Sequence, residues 1–134
     1  AIADIIKRKG KMVIFGAGDG FRNPVSAKNI YQSIVNIIDN PKTYNKIYNI
    51  GGDGLISYRD MIEKIAAYIG KPVKFVNIPF LPQIVGVLSK LYQLKNINKE
   101  SVNRMNRDLV SDNDIAEIDF DYNPDGFLEG DIVI

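Results

Sequence analysis

Lys11-Met-Val-Ile-Phe15-Gly16-Ala-Gly18-Asp-Gly20-Phe21-Arg22-Asn-Pro24 is the stretch on which the reading of the fold turns. Residues 11–15 are mostly apolar and read as a short buried strand, which ends in glycines at alternate positions. A strand running into glycines is also how a dinucleotide-binding fingerprint begins, but G-x-G-x-x-G needs glycine at position 21. Phe21 stands there, and Pro24 blocks the helix whose N-terminus would hold a pyrophosphate. The stretch therefore reads as a glycine-rich strand connection. Arg22, set just after flexible backbone, can offer a planar two-pronged donor to a phosphate; the plainer alternative is a solvated arginine.

Working outward, Ile2, Ile5 and Ile6 have helical spacing before Gly10, so the chain opens on a segment that reads as the last turns of a helix. Residues 29–39 form a second helix with Ile30, Ile34, Val35, Ile37 and Ile38 on one face, stopped by Asn40-Pro41. Residues 46–50 look like a strand that runs into Gly51-Gly52-Asp53-Gly54, a turn in which glycine accepts positive φ. Ser57-Tyr-Arg-Asp60 has capping-box form with Asp in place of Glu, and Met61, Ile62, Ile65, Ala66 and Ile69 supply the buried face behind it. Gly70 suits the left-handed position that closes this helix, and Pro72 follows where it cannot continue.

Residues 73–78 read as the next strand, and the mostly apolar 83–92 as a buried or partner-facing helix. Asn98 is expected to cap a short helix through Val102 and Met105, residues 109–110 to add a short strand, and Asp112 to cap a last helix through Ile115 and Ala116. Strands alternate with helices, yet they are too few and too short for a complete doubly wound sheet. The expected fold class is a small mixed α/β lobe.

The 134 residues, 46% hydrophobic and 25% charged, suit one globular domain, with no repeat and no Pro/Gly/Ser linker to divide it. A net charge of +1 gives no electrostatic reason to expect nucleic acid or a membrane surface as partner. No apolar run approaches the roughly 20 residues that cross a bilayer, so a cytoplasmic location is expected. The chain has no Cys and no His, which excludes disulfides, thiolate nucleophiles, zinc-finger ligands and imidazole catalysis. From Asp108 onward every charged residue is acidic, so the C-terminal segment reads as an acidic surface.

Within that segment Asp121-Tyr-Asn123-Pro-Asp125-Gly126 matches the start of a calcium loop. Position twelve is Ile132 where a bidentate Glu is needed, and Pro124 intrudes, so a Pro/Gly turn before a final helix competes with the metal. The many carboxylates read as caps and a solvated face rather than as an acid/base pair. No tyrosine has a lysine four positions later.

Taken together, these segments resemble the C-terminal, substrate-binding part of the extended short-chain dehydrogenase/reductase family, the NAD(P)-dependent nucleotide-sugar epimerases, dehydratases and reductases. Gly16-Ala-Gly18-Asp-Gly20-Phe-Arg22-Asn-Pro-Val-Ser26-Ala-Lys-Asn29-Ile-Tyr31 aligns without a gap on the family's G-D-G-x-G-x-R-D-Y-I-H-V-x-D-L-A stretch. Ile47-Tyr-Asn-Ile-Gly-Gly52, the capped helix from Ser57 to Gly70-Lys-Pro72, and Asp108-Leu-Val-Ser-Asp112 with Ala116, Phe120, Pro124 and Glu129-Gly130 follow in the family's order. The resemblance covers nearly the whole chain. It implies a lobe lacking the N-terminal dinucleotide-binding region, with residues 1–28 as the end of the Rossmann portion.

The resemblance further implies that Arg22 contacts the substrate's phosphates, with Gly18, Gly20, Ser26 and Asn29 beside it. Ser26 stands where the family has His and Asn29 where it has Asp, so contacts that need an imidazole or a carboxylate do not transfer. NAD or NADP would be bound mainly by the absent Rossmann portion, which would also carry the Tyr-x-x-x-Lys pair; this chain alone would bind no cofactor and would not turn over. Implied partners are a nucleotide sugar, the Rossmann portion and a possible second copy. Residues 79–125 look most like a divergent branch that includes the complex I accessory subunit, which leaves a non-catalytic structural or regulatory role as the alternative.

Overall fold

The computed structural model describes residues 2–79 and 99–129. In chain order it contains α1 (Ile2–Lys9), β1 (Lys11–Phe15), β2 (Phe21–Arg22), α2 (Ala27–Ile37), a 3-10 turn (Pro41–Thr43), β3 (Ile56–Ser57), α3 (Tyr58–Tyr68), β4 (Lys74–Ile78), α4 (Lys99–Asn106) and α5 (Asp114–Phe120). These gather into two compact units, each assembled from two separated stretches: Ala1–Phe21 with Ile56–Leu109, and Arg22–Leu55 with Val110–Ile134. Interleaving of this kind leaves no linker in the sequence to mark a boundary.

The first unit is built on β1 and β4, which pair in parallel from Lys11 opposite Lys74 to Phe15 opposite Ile78. Side chains alternate across a strand. Met12 and Ile14 therefore join Ile6, Ile62 and Ala66 on one face, while Val13 and Phe15 meet Val102, Ile78 and Met105 on the other. Covering both faces is what a parallel pair requires, and it explains why residues 12–15 read as an unbroken apolar run. Helix α1 ends at Gly10, whose φ of 60° closes it. Helix α3 starts as its sequence predicts: Ser57 Oγ accepts from the Asp60 amide at 3.1 Å and donates to Asp60 Oδ2 at 2.7 Å. At its far end the Gly70 amide donates to Ala67 and the Lys71 amide to Ala66, with Gly70 at φ 64°. These are the paired bonds that a left-handed glycine makes possible.

The second unit has a core of Ala116, Phe120 and Tyr122, with Ile37, Tyr48 and Ile50 packed against it. Tyr48 meets Phe120 edge-on, ring centroids 5.1 Å apart. Here three expectations need correction. Residues 46–50 form no strand. Their alternation is real, Tyr48 and Ile50 facing the core while Ile47 is 95% exposed, but their main chain pairs with no neighbouring strand among the described residues. In 51–54 only Gly54 has positive φ; Gly51 and Gly52 are needed instead for close approach, since a Cβ on either would collide with Asn23 or with the Pro24 carbonyl. Helix α2 starts two residues earlier than 29, at Ala27, because Ser26 caps it by accepting from the Asn29 amide at 3.1 Å.

Residues 109–110 form no strand either, only a single bridge at Leu109, whose amide donates to the Phe21 carbonyl at 2.7 Å. Asp112 Oδ1 accepts from the Asp114 amide at 2.9 Å as a cap would. Asn113, which occupies the cap position itself, makes no cap bond because its side chain is engaged elsewhere. Helix α4 runs through Val102 and Met105 as expected; its cap Asn98 and the apolar 83–92 lie outside the described residues.

Ile62 is fully buried between α3 and the sheet. Ile62→Ala is expected to lower the unfolding free energy by about 2–4 kcal/mol, as cavity-forming core substitutions do. Ile47→Ala, at an exposed side chain, should change it by less than about 0.5 kcal/mol, and urea titrations of the two variants check the contrast.

Candidate functional site

In the first unit the connection through residues 16–20 is clasped by one carboxamide. Asn106, the last residue of α4, donates from Nδ2 to the Phe15 carbonyl at 2.6 Å and accepts at Oδ1 from the Gly18 amide at 3.0 Å. Gly16 has φ 79°, and a Cβ there would lie 2.6 Å from Asn106 Oδ1, so glycine is the residue that lets the clasp close. Gly20 is packed between two stretches of main chain: its amide donates to Met105, its carbonyl accepts from Tyr58, and a Cβ would meet the Arg107 carbonyl at 2.5 Å. Gly18 likewise accepts at its carbonyl from the Arg59 amide at 3.0 Å. Asp108 Oδ1 holds the next amide, that of Phe21, at 2.8 Å.

This network bears on whether the glycines could cradle a dinucleotide. A phosphate-binding loop needs free amides and space where Cβ atoms would be. Here the Gly18 and Gly20 amides are already bonded within the unit, and the space over Gly16, Gly18 and Gly20 is filled by Asn106, Ile14 and Arg107. At Gly16, Gly18 and Gly20 the described structure thus leaves neither a free amide nor side-chain space for a pyrophosphate.

Arg59 is a cation in this unit that sequence reading passed over. Its guanidinium stacks on the Phe75 ring, 4.5 Å from the centroid, while Nη2 donates to Asn77 Oδ1 at 3.0 Å and Nε to the Ala17 carbonyl at 3.4 Å. Those contacts tie β4 to the 16–20 connection.

In the second unit Arg22 is half-buried, with its Nε shielded from solvent. The residue after it is held on three sides. Asn23 donates from Nδ2 to the Ser111 carbonyl at 2.8 Å, accepts at Oδ1 from the Ser111 amide at 3.0 Å, and accepts at its carbonyl from the Gly52 amide at 2.9 Å. Gly51 is fixed in turn: its amide donates to Asn113 Oδ1 at 2.7 Å and its carbonyl accepts from the Tyr122 hydroxyl at 2.7 Å. Ser26 and Asn29 come together at the start of α2, where Ser26 Oγ bonds both the Asn29 amide and its Oδ1. Asn29, which is buried, also donates to Asp125 Oδ2 at 3.4 Å, a carboxylate shared with Lys28 at 3.1 Å. Of the expected binding residues, the described contacts join Ser26 to Asn29 directly, and give Gly18 and Gly20 packing roles.

The acidic C-terminal stretch is thus partly neutralised. Asp125 meets Lys28, and Asp119 accepts from Lys46 Nζ and from the Tyr48 hydroxyl, each at 2.7 Å. The Lys46 and Tyr48 hydrogen bonds hold the Asp119 carboxyl below its ordinary 3.8, while burial and then Asp119 push the Tyr48 hydroxyl up to about 12. Burial also raises the Tyr122 hydroxyl. These groups move away from neutrality, which suits binding and packing rather than proton transfer near neutral pH. Asp121 ends α5 at φ 54°, and among the described residues no group of three acidic side chains is placed to hold a metal ion. Among the same residues no helix is long and apolar enough to cross a membrane.

No family model matches the chain, and no curated protein does. Solved structures do. The chain is similar to a UDP-glucuronic acid 4-epimerase of Bacillus cereus in complex with NAD, with a TM-score of 0.57 and 17% identity over 92% of this chain and 32% of that one. It is also similar to a dTDP-glucose 4,6-dehydratase of Bacillus anthracis in complex with NAD, with a TM-score of 0.55 and 15% identity at the same coverage. Its fold is that of about a third of each. The small mixed α/β fold expected from the sequence is therefore matched inside NAD-dependent epimerase and dehydratase structures, of which the chain spans less than two thirds.

Asn106→Ala leaves the buried Gly18 amide and the Phe15 carbonyl without their shared partner, and is expected to cost about 1–3 kcal/mol, read as a lower urea midpoint. Acidity tests the Asp119 cluster. A carboxyl held down in the folded state stabilises above its unfolded value and loses that contribution as pH falls through the folded one. The melting temperature should therefore drop below the ordinary 3.8, and Asp119→Asn should melt lower at neutral pH yet fall less steeply in acid.

Proposed function

We propose that this chain is the substrate-binding portion of an NAD(P)-dependent enzyme that epimerises, dehydrates or reduces a nucleotide sugar. The observation that carries the reading is the likeness of 92% of the chain to two NAD-bound enzymes whose named substrates are nucleotide sugars. In this reading the chain is the C-terminal lobe, and the NAD and the groups that exchange protons with the sugar belong to the rest of the polypeptide. That division agrees with a 16–20 connection whose Gly16, Gly18 and Gly20 amides are bonded within the unit and with Asp119 and Tyr48 groups displaced from neutrality.

Arg22 is the residue of this chain best suited to the diphosphate, because a guanidinium offers two parallel donors to phosphate oxygens and carries its charge at every working pH. The three bonds on Asn23 and the cap at Ser26 hold the main chain that follows it. A rigidly held cation spends less binding energy on its own ordering, and diphosphate binding remote from the reacting carbon orients the sugar.

Arg22→Ala in the complete gene product is expected to weaken binding of UDP-glucuronic acid or dTDP-glucose by ten- to a hundredfold, about 1.5–3 kcal/mol for a bond to a charged group. Arg22→Lys should recover only part, since it keeps the charge and loses the fork. Calorimetric titration reads both variants, and an unchanged affinity in Arg22→Ala removes the residue from the site.

A further inference from the structure

Helix α2 is mounted with its polar side inward. Asn29 and Ser33 are each 5% exposed, whereas Ile34 is 51% exposed and Ile38, just past the helix end, 62%. Ile30, Tyr31 and Val35 complete the outer face, and all three are exposed. Around a helix, positions 30, 31, 34, 35 and 38 share one side and 29, 33 and 36 the other, so the arrangement is the reverse of an ordinary surface helix.

The helix cannot roll over to hide this face without breaking specific bonds. Asn36 Nδ2 donates to the Phe120 carbonyl at 3.1 Å and Asn29 Nδ2 to Asp125 Oδ2 at 3.4 Å, both outside the helix. Ile37, on the flank of the polar side, packs into the core around Phe120. The outer face carries no charge that would hold it in water, and an apolar strip of this kind marks a contact surface.

We propose that this face of α2 is the seat of the NAD-binding portion of the same polypeptide, which would cover it with apolar side chains. The proposal rests on the functional reading above and adds to it the surface by which the two portions join. What favours this occupant over a second copy is chain length: this chain accounts for 32% of each similar structure. About two thirds of such a fold thus remains to cover faces left bare on the part described here. An obligatory contact within one polypeptide also suits a strip whose own positions are uncharged and whose flanking Lys28 is already paired with Asp125 at 3.1 Å, since no encounter between separate molecules has to be steered.

A single cysteine reports on the contact, because the chain has none of its own. Ile34→Cys sits at an exposed position and leaves the core untouched. Its reaction with a maleimide, read at position 34 by peptide mass spectrometry, is compared in the 134-residue chain and in the complete gene product, each native and urea-unfolded. The expected result is labelling near the unfolded rate in the 134-residue chain, and at least about tenfold slower labelling in the complete product as a monomer, because reaction then waits on local opening. Equal rates in the two forms overturn the proposal. So does protection that appears only with a doubled mass and fades on dilution, which would make the occupant a second copy, and so does a complete product no longer than 134 residues. NAD binding, measured on the same samples, separates the two ideas: NAD bound while the introduced thiol is freely labelled sinks the docking face alone, whereas a protected thiol without NAD binding keeps the face and sinks the functional reading.

Discussion

A parallel pair of strands cannot be closed by a tight turn, and the pairing of β1 with β4 imposes that constraint on the chain. After Phe15 the polypeptide has to leave, run back and re-enter in the same direction at Lys74. Residues 22–55 occupy that excursion and belong to the second unit, while α3 brings the chain back over one face of the pair. The apolar alternation of β1, shared between two clusters on opposite faces, makes the pair the spine of the first unit. The glycines at 16, 18 and 20 serve the same constraint, letting the departing chain pass close to Ile14, Asn106 and Arg107 where side chains would not fit.

Asparagine side chains do much of the tying in both units. Asn106 links the Phe15 carbonyl to the Gly18 amide, Asn23 makes a strand-like pair of hydrogen bonds to Ser111, and Asn113 does the same for Gly51. Each satisfies main-chain groups that have no ladder partner, which matters because a half-buried polar group left unpaired costs more than its bond contributes when made. A carboxamide can donate and accept at once without a charge to desolvate, and the irregular 16–23 and 51–52 segments hold their shape by that means. The neighbourhood of Arg22 is fixed in this way.

The legible parts of the fold were those whose signals are local. Ser57 with Asp60, Gly70 with Pro72, and the apolar 11–15 and 73–78 stretches each carry their structural reason within a few residues, and α3, β1 and β4 formed close to where those reasons place them. Residues 46–50 show how a local signal fails: the alternation was genuine, but a strand also needs a partner's main chain, and the described structure supplies side-chain packing by Phe120 instead. By residue type Gly51 and Gly52 suit positive φ, whereas the space taken by Asn23 and Pro24 is what excludes a side chain there. The bonds of Asn106 to residues 91 and 88 positions away left no trace in the chain's periodicity.

By itself the sequence determined the periodicities of the helices, the cap of α3, the absence of imidazole and thiol chemistry, and the failure of the glycine fingerprint at Phe21. All of these follow from residue type and short-range stereochemistry. Only tertiary structure decided which side of α2 faces inward. The isoleucines predicted an apolar face but not what lies against it; that depended on Asp125 and Phe120, 96 and 84 residues beyond the asparagines whose side chains they bond, Asn29 and Asn36. Burial is a property of neighbours, and neighbours distant in the chain are set by how it returns on itself rather than by any stretch of it alone.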